Sequence, residues 1–213
     1  VNNSLVCWGL ETFGSEAQKQ QFLPMLASGE KVGAFCLSEP EAGSDATQQK
    51  TTAIDMGDHY LLNGTKNWIT NGGRAGAYLV IAQTDVEKKH RGINCLIVTP
   101  DMEGFEVGPK EDKMGIRGSD THSLNFNDVR VPKENRVGED GFGFKFAMKT
   151  LDGGRIGIAA QALGIASGAY ERALAYSKIR KSFGKEIMHH QAIQFKLADM
   201  ATEIDAARLL TLK

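Results

Sequence analysis

The chain has 213 residues, of which 41% are apolar and 24% are charged, and its formal net charge at pH 7 is -1. This composition can bury a core and is not typical of a disordered chain. The near-neutral charge excludes a global electrostatic attraction to nucleic acid or to an anionic membrane. Three scattered cysteines, Cys7, Cys36 and Cys95, have no metal-binding or redox spacing, which favours a reducing compartment.

The N-terminal segment is predicted to be helical. Ser15 with Glu16 forms a helix start, and Phe22 and Leu26 give this helix an apolar side. We expect Pro24 to kink or end the helix, because proline lacks a backbone donor and clashes with the preceding turn.

The central segment changes to a strand pattern with frequent turn signals. Because short connections favour antiparallel pairing, we expect a small antiparallel barrel or sandwich here. The strand candidates are VGAFCLSE, KTTAIDM, HYLLNGTKNWIT, AYLVIAQT, GINCLIVT and SLNFNDVRVP.

The pattern becomes helical from Gly141 onward. The most apolar stretch, 156–169, would rise about 20 Å as a helix, which is short of the roughly 30 Å of a bilayer core. It therefore predicts a buried helix and not a membrane span. A second helix follows the break KSFGKE, with an apolar stripe at steps of three or four residues formed by Ile193, Leu197, Met200, Ile204 and Ala207.

These patterns together predict an α+β protein. Short N-terminal helices (1–30) precede a central antiparallel β domain (31–138), and long antiparallel helices (139–213) form part of a helical bundle. No glycine-rich phosphate-binding loop follows a strand, so neither a Rossmann nor a P-loop fold is expected.

Two stretches place polar groups where strands are predicted to end. In FCLSEPEAGSD, the strand ends at Ser38 and a loop follows; it is either a polar turn with Ser44 or Asp45 capping local amides, or a ligand loop. In NGTKNWITNGG, Trp68 is either a core aromatic residue or the partner of a flat ring, with Thr70 at the strand end. We expect the ends carrying Ser38 and Thr70 to meet and form one shelf.

The helical region offers two further candidates. Asp152 and Arg155 are placed at the opening of the apolar helix, either as a helix-start acid with a surface cation or as a cavity rim that meets an anionic ligand. The run KIRKSFGK is either a solvated helix end or a phosphate-binding corner that uses Arg180 and Ser182. His189 and the histidine after it lack a third ligand, so no metal site is expected.

Six stretches in this order resemble the acyl-CoA dehydrogenases, with the short-chain (butyryl-CoA) branch as the nearest match. They span nearly the whole chain. The matching stretches are VNNSL, LSEPEAGSD, LNGTKNWITNG, KEDKMGIRGSDT, GFKFAMKTLDGGRIGIAAQALGIA and FGKEIMHHQAIQFKLADMA.

The resemblance implies FAD as cofactor and an acyl-CoA thioester as substrate. In this family Trp68 would lie against the flavin ring and Thr70 would bond near its N5 atom. Ser44, Asp152 and Arg155 would contact the substrate. The residues implied at the flavin are Phe35, Leu37, Ser38, Ser44, Trp68, Ile69 and Thr70; those implied at the FAD tail of a neighbouring subunit are Arg180, Lys181, Ser182, His190 and Gln191.

The same resemblance implies a homotetramer that passes electrons to an electron-transfer flavoprotein, in the bacterial cytoplasm or, as a second choice, the mitochondrial matrix. No membrane or nucleic-acid partner is expected. The alternatives are an oxidase of the same architecture and a non-catalytic assembly module that binds no flavin.

The catalytic base is the main departure from the family pattern. Most relatives use a Glu in a downstream loop, so the base is expected in a segment beyond Lys213, and the 213 residues are expected to be inactive in isolation. A minority place the Glu directly before the matching Arg, where this sequence has Gly154. Glu41 also stands where many relatives carry Gly.

Overall fold

The structure is a computed structural model that describes all residues from Val1 to Lys213. The chain forms two compact units, Val1–Gly153 and Gly154–Lys213.

The first unit begins with helices. A π-helical stretch, Asn2–Cys7, continues into α1 (Trp8–Phe13), and α2 spans Glu16–Ala27. Ser15 caps α2 as predicted. Its hydroxyl accepts from the Gln18 backbone amide at 3.2 Å, and the Ser15 backbone amide donates to Gln18 Oε1 at 3.0 Å.

The expectation that Pro24 ends α2 is wrong, while a kink at this residue stays a prediction. The helix continues to Ala27, and the Ser28 amide still bonds to the Pro24 carbonyl at 3.1 Å. Pro24 and Gln20 are both exposed. The Gln20 carbonyl, which loses its donor at position 24, therefore lies on a side of the helix that water reaches.

The β domain is one eight-stranded sheet. Its strands are β1 (Val32–Cys36), β2 (Thr52–Asp55), β3 (His59–Thr70), β4 (Ala75–Gln83), β5 (Ile93–Val98), β6 (Phe105–Lys110), β7 (Thr121–Pro132) and β8 (Arg136–Val137). The order in the sheet is β6-β7-β3-β2-β4-β5-β8, with β1 added against β4. Most pairings are antiparallel, as predicted; β1 and β2 each pair with β4 in parallel.

Two apolar clusters enclose the sheet, and β4 contributes to both. Tyr78 and Val80 lie in a cluster formed by strand residues, whereas Leu79 and Ile81 pack with the helical residue Phe146. Because both faces of β4 are buried, its sequence is a continuous apolar run without polar alternation. The N-terminal helices and the start of the next helix therefore pack together against one face of β4, whereas its other face is covered by strand residues.

The long helix α3 (Gly143–Ser177) begins in the first unit and continues through the second. In the second unit, a short hairpin precedes α4 (Gln191–Leu212). Its strands have two residues each, β9 (Lys181–Ser182) and β10 (Lys185–Glu186). No helix is both long enough and apolar enough to cross a membrane.

The expectation of a buried apolar helix at 156–169 is wrong for this chain. Ile156, Ile158 and Ile165 are each about two-thirds exposed, at 64%, 66% and 64%. Within the second unit, α3 and α4 share one apolar groove, lined on α4 by the predicted stripe residues Met200, Ile204 and Ala207. One neighbouring helix cannot cover every apolar side of α3.

Gln18 gives a test of how α2 is attached. Besides capping, its side-chain amide donates to the carbonyls of Glu134 and Arg136 at 2.6 and 3.0 Å. We expect Gln18→Ala to lower the free energy of unfolding by about 1–3 kcal/mol, because two partly buried hydrogen bonds to these carbonyls and the bond within the helix cap are lost. Urea unfolding of the purified protein measures this. Exposed Gln20 is the matched control, and Gln20→Ala should change little; equal effects of the two changes would contradict the assignment.

Candidate active site

Trp68 lies on an irregularity near the end of β3. The pairing of β3 with β7 shifts register between Lys66 and Ile69, and Trp68 has a φ of 61°. Left-handed backbone in a bulky residue is strained by about 1–2 kcal/mol. The bulge turns the indole outward, so the residue is 61% exposed. The alternative that Trp68 is a core aromatic residue is therefore wrong.

Ser38 lies beside this bulge. β1 ends at Cys36, two residues earlier than predicted, because the chain turns into the loop that carries Glu39. The Ser38 carbonyl accepts from the Asn67 amide at 2.8 Å. The ligand-loop candidate and the Trp68 bulge are thus joined by a direct main-chain bond.

The expected meeting of two strand ends at Ser38 and Thr70 is wrong in its geometry. Ser38 is bonded to Asn67, while the Asn71 side chain donates to the Gly33 carbonyl at 2.9 Å. These two contacts show that the segments run in opposite directions. Thr70 is therefore level with the start of β1, and the residue nearest to Ser38 on β3 is the neighbour of Trp68.

A buried ion pair, missed in the sequence, holds the loop after β1. The Lys66 side chain is fully buried, and its ammonium donates to Glu39 Oε1 at 2.7 Å, to the Leu37 carbonyl at 3.0 Å and to Gln49 Oε1 at 3.2 Å. An ammonium has three donors, and these three acceptors use all of them. The pair thereby ties the ligand-loop candidate to β3.

The carboxylate of this pair has further donors. Glu39 accepts from the backbone amides of Lys50 and Thr51 at 2.6 and 3.1 Å. Burial by itself would raise the pKa of Glu39, but Lys66 and these donors more than offset it and hold the pKa below its ordinary value. Burial lowers the pKa of Lys66, against the opposing effect of Glu39. Glu39 therefore stays ionised at neutral pH.

The other candidates in the first unit differ in access. The side chains of Phe35 and Ile69 are 9% and 2% exposed and belong to the two apolar clusters, so only their main chain faces outward. Leu37 and Thr70 are partly buried, and Ser44 is exposed. Asp45, next to it, accepts from the Thr47 amide and hydroxyl at 3.3 and 2.6 Å, as the capping alternative predicts.

Asp152 and Arg155 are not at a helix start. α3 begins at Gly143, so both residues lie inside the helix, where they are exposed. The helical pattern was expected from Gly141 onward, but Asp152 and Arg155 were assigned to the opening of its most apolar part, which is not a separate helix: Gly143 is the first helical residue and is buried against Asn94.

In the second unit, the hairpin brings Ser182 and His190 together. The Ser182 carbonyl lies 3.1 Å from His190 Nε2, and Arg180 and Gln191 are exposed nearby in sequence. At the hairpin tip, Phe183 is 95% exposed with a φ of 50°. Phe183 was missed, although Phe-Gly between two short strands is the kind of two-residue turn that needs positive φ.

Three models of one family match successive parts of the chain. They are the acyl-CoA dehydrogenase N-terminal domain at residues 1–30, the middle domain at 34–129 and the C-terminal domain at 141–213. The chain belongs to the acyl-CoA dehydrogenase family. The resemblance found in the sequence and the predicted α+β class are confirmed.

Individual members of the acyl-CoA dehydrogenase family are also similar. The rat mitochondrial short-chain specific acyl-CoA dehydrogenase is 52% identical over 211 residues, covering 99% of this chain and 51% of the relative. The butyryl-CoA dehydrogenase structure from Megasphaera elsdenii has a TM-score of 0.95 at 53% identity, covering 99% and 55%.

A third similarity is to a chain from a structural study of the electron transferring flavoprotein of Acidaminococcus fermentans. It has a TM-score of 0.96 at 54% identity and covers 99% of this chain and 56% of that chain. The chain therefore spans about half the length of the relatives it matches.

The buried pair gives a stability prediction. Lys66→Met should lower the free energy of unfolding by about 3–5 kcal/mol, because Glu39 is left buried without its partner. The double change Lys66→Met with Glu39→Leu should recover much of the loss. The matched control is the exposed pair of Lys50 and Glu41 in the same region, where Lys50→Met should change little. Urea unfolding measures all three, and a Lys66→Met protein as stable as wild type would contradict the role of the pair.

Glu39 also predicts a pH dependence. Because folding lowers its pKa, ionised Glu39 stabilises the fold above its unfolded pKa of about 4.3, and this contribution is lost as the pH falls through the lower folded value. Glu39→Gln should therefore be less stable than wild type at pH 7, with a gap that narrows below about pH 4.5. Unfolding curves across this range measure the gap. A constant gap would refute the prediction, and exposed Glu41→Gln is the control.

Proposed function

We propose that the chain is the flavin-binding part of an FAD-dependent enzyme that dehydrogenates a short-chain acyl-CoA thioester to the trans-2-enoyl-CoA. The observation that carries this proposal is the exposed Trp68 indole, held on a strained bulge beside the Ser38 loop. Strain of this kind persists where the surroundings impose it, and it concentrates at ligand sites. The named relatives are short-chain and butyryl-CoA dehydrogenases.

The residues present fit FAD. Trp68 offers a large flat face to a flat ring, and Ser38 and Thr70 are partly buried hydroxyl residues along the same pair of segments. Leu37 and the exposed Ser44 belong to the loop after β1, which would form the other side of the flavin site. Phe35 and Ile69 would contribute main-chain groups, since their side chains lie in the core.

When bound, FAD would supply the acceptor for two electrons, and the chain's residues would position the reactants. The α-proton of a thioester is a weak acid, and donors aimed at its carbonyl oxygen stabilise the developing negative charge. We propose Ser44, Asp152 and Arg155 as acyl-CoA contacts, which their exposure permits.

The proton-abstracting base belongs to another part of the protein in this proposal. The position directly before Arg155 is Gly154, which has no side chain to accept a proton. We propose a Glu from a segment beyond Lys213 for this step, so the 213 residues by themselves would be inactive.

The second unit would serve a neighbouring subunit. Arg180 and Lys181 are exposed cations at the hairpin, and Ser182 with His190 forms a bonded corner beside the first residue of α4, Gln191. Such a group of donors suits the phosphates of the FAD tail. We propose a homotetramer in which each hairpin completes a site of another copy.

We propose three domains, 1–30, 31–138 and 139–213, of which the middle one would carry the residues that contact the flavin ring. The ranges matched by the three family models support these boundaries. The protein would pass its electrons to an electron-transfer flavoprotein, as the similarity to a chain studied with such a protein suggests.

A reducing compartment suits the three unpaired cysteines. We favour the bacterial cytoplasm over the mitochondrial matrix.

The proposal predicts a yellow complete protein whose visible flavin absorption bleaches when butyryl-CoA is added without oxygen. Thr70→Ala and Trp68→Ala should each slow this bleaching by about tenfold or more, because the reacting groups lose their alignment. Anaerobic stopped-flow absorbance measures the rate, and admission of air tests whether oxygen reoxidises the flavin directly, as in an oxidase. A colourless protein that takes up no FAD would refute the proposal.

A further inference from the structure

The turn that follows Thr70 is held by groups from two other segments, at Asp120 and at Tyr78. The Asn71 amide donates to the Asp120 carbonyl at 2.7 Å, and the Gly73 amide donates to Asp120 Oδ2 at 2.9 Å. The buried Tyr78 hydroxyl donates to the Gly72 carbonyl at 2.8 Å. This turn is therefore anchored at three successive residues, directly after the strand end proposed to face the flavin.

The Asp120 carboxylate is held in turn by His122. Its second oxygen lies 2.9 Å from His122 Nε2, and His122 Nδ1 lies 2.7 Å from the Gly108 carbonyl. Both side chains are largely buried, at 13% exposure for His122 and 21% for Asp120. Burial alone would raise the pKa of Asp120, but the bonds from His122 and Gly73 keep it below its ordinary value.

Both nitrogens of the His122 ring thus face oxygen atoms that only accept. A carbonyl has no hydrogen to donate, and an ionised carboxylate has none either. The ring thereby bridges the Gly108 carbonyl and the Asp120 carboxylate. We call Asp120 and His122 together the clamp.

The clamp explains the two glycines of the NGG turn. A Cβ at Gly72 would lie 2.9 Å from the His122 Cβ, and one at Gly73 would lie 2.8 Å from His122 Nε2 and 2.9 Å from Asp120 Oδ2. Neither position has room for a side chain. The turn is pressed directly against the clamp.

We propose that Asp120 and His122 are positioning residues for the flavin-facing end of β3. They flank Thr121, which is the register partner of Thr70, and His122 is the register partner of Ile69. The clamp fixes the turn on one side of Thr70 and the paired strand on the other. It thereby sets where the Thr70 hydroxyl and the Trp68 bulge stand. This inference rests on the proposed function, since it assigns the clamp a role toward the bound flavin.

The test compares Asp120→Ala, Asp120→Asn and His122→Gln in the complete protein. Asp120→Ala should speed hydrogen exchange of the Gly73 amide by about 10- to 100-fold in the protein without FAD, the change expected for losing a hydrogen bond to a charged group. With FAD bound, it should change the visible circular dichroism of the flavin and slow flavin reduction at saturating butyryl-CoA by about tenfold or more, with little change in KM. Asp120→Asn keeps an acceptor for Gly73 and should lie between Ala and wild type.

A second His–Asp pair, at the start of β3 and far along that strand from Thr70, is the control. There His59 Nδ1 lies 2.6 Å from Asp58 Oδ1. Asp58→Ala should leave exchange at Gly73, the flavin dichroism and the reduction rate unchanged. If Asp120→Ala fails to fold, the two milder variants carry the same comparison.

Faster exchange at Gly73 without any change in the flavin signals would overturn the positioning role, as would an unchanged exchange rate. A wild-type protein that binds FAD but is not reduced by butyryl-CoA would refute the proposed function. In that case the exchange and dichroism data would still decide whether the clamp positions the flavin.

Discussion

The ammonium of Lys66 joins the two segments on which the candidate site is built. One segment is the loop that begins at Leu37, and the other is the end of β3, which carries Trp68. A cation with no exposed surface is unfavourable unless every donor is used, and here the three acceptors come from the loop side. The loop cannot move away from β3 without leaving this charge unpaired. The backbone that carries the exposed Trp68 indole is thus held in place by the buried hydrogen bonds of Lys66.

A ligand site built on these two segments needs no large hydrophobic pocket. Most apolar side chains of the first unit are buried in the two core clusters, which include Phe35 and Ile69. What remains at the surface is an exposed indole on a strained backbone, two hydroxyl residues and main-chain groups. Strain and buried charge on one short strand segment are the pattern expected where function overrides local stability.

Much of the fold could be predicted from the sequence, because it depends on local patterns. Alternating and continuous apolar runs identified most strands, and Ser15 identified the start of α2. β6 was missed because its Phe105–Lys110 segment is mostly polar or exposed and contains Gly and Pro. The end of α2 was predicted wrongly, because whether a proline ends a helix depends on which side of the helix the carbonyl without a donor faces. That side is set by packing and not by the local sequence.

The site was less predictable, for the same reason. Trp68 and Thr70 were identified by residue type, but the bulge that turns Trp68 outward depends on how β7 pairs with β3. Lys66 in a strand sequence looks like a solvent-facing residue, and its burial depends on Glu39, which is 27 residues away in sequence. The role of Asp120 could not be predicted either, because its partner Gly73 is distant in sequence. The antiparallel order of the segments that carry Ser38 and Thr70 also depends on tertiary contacts and not on the local sequence.

The bonds of Gln18 have a consequence for how the chain is made. Its side-chain amide reaches carbonyls 116 and 118 residues further along. During synthesis at about 5–20 residues per second, those carbonyls leave the ribosome on the order of ten seconds after Gln18. The helices that carry Gln18 leave the ribosome before the sheet, and their apolar side stays uncovered until the sheet has been translated and has closed. Chaperone contact during this interval would therefore include these helices.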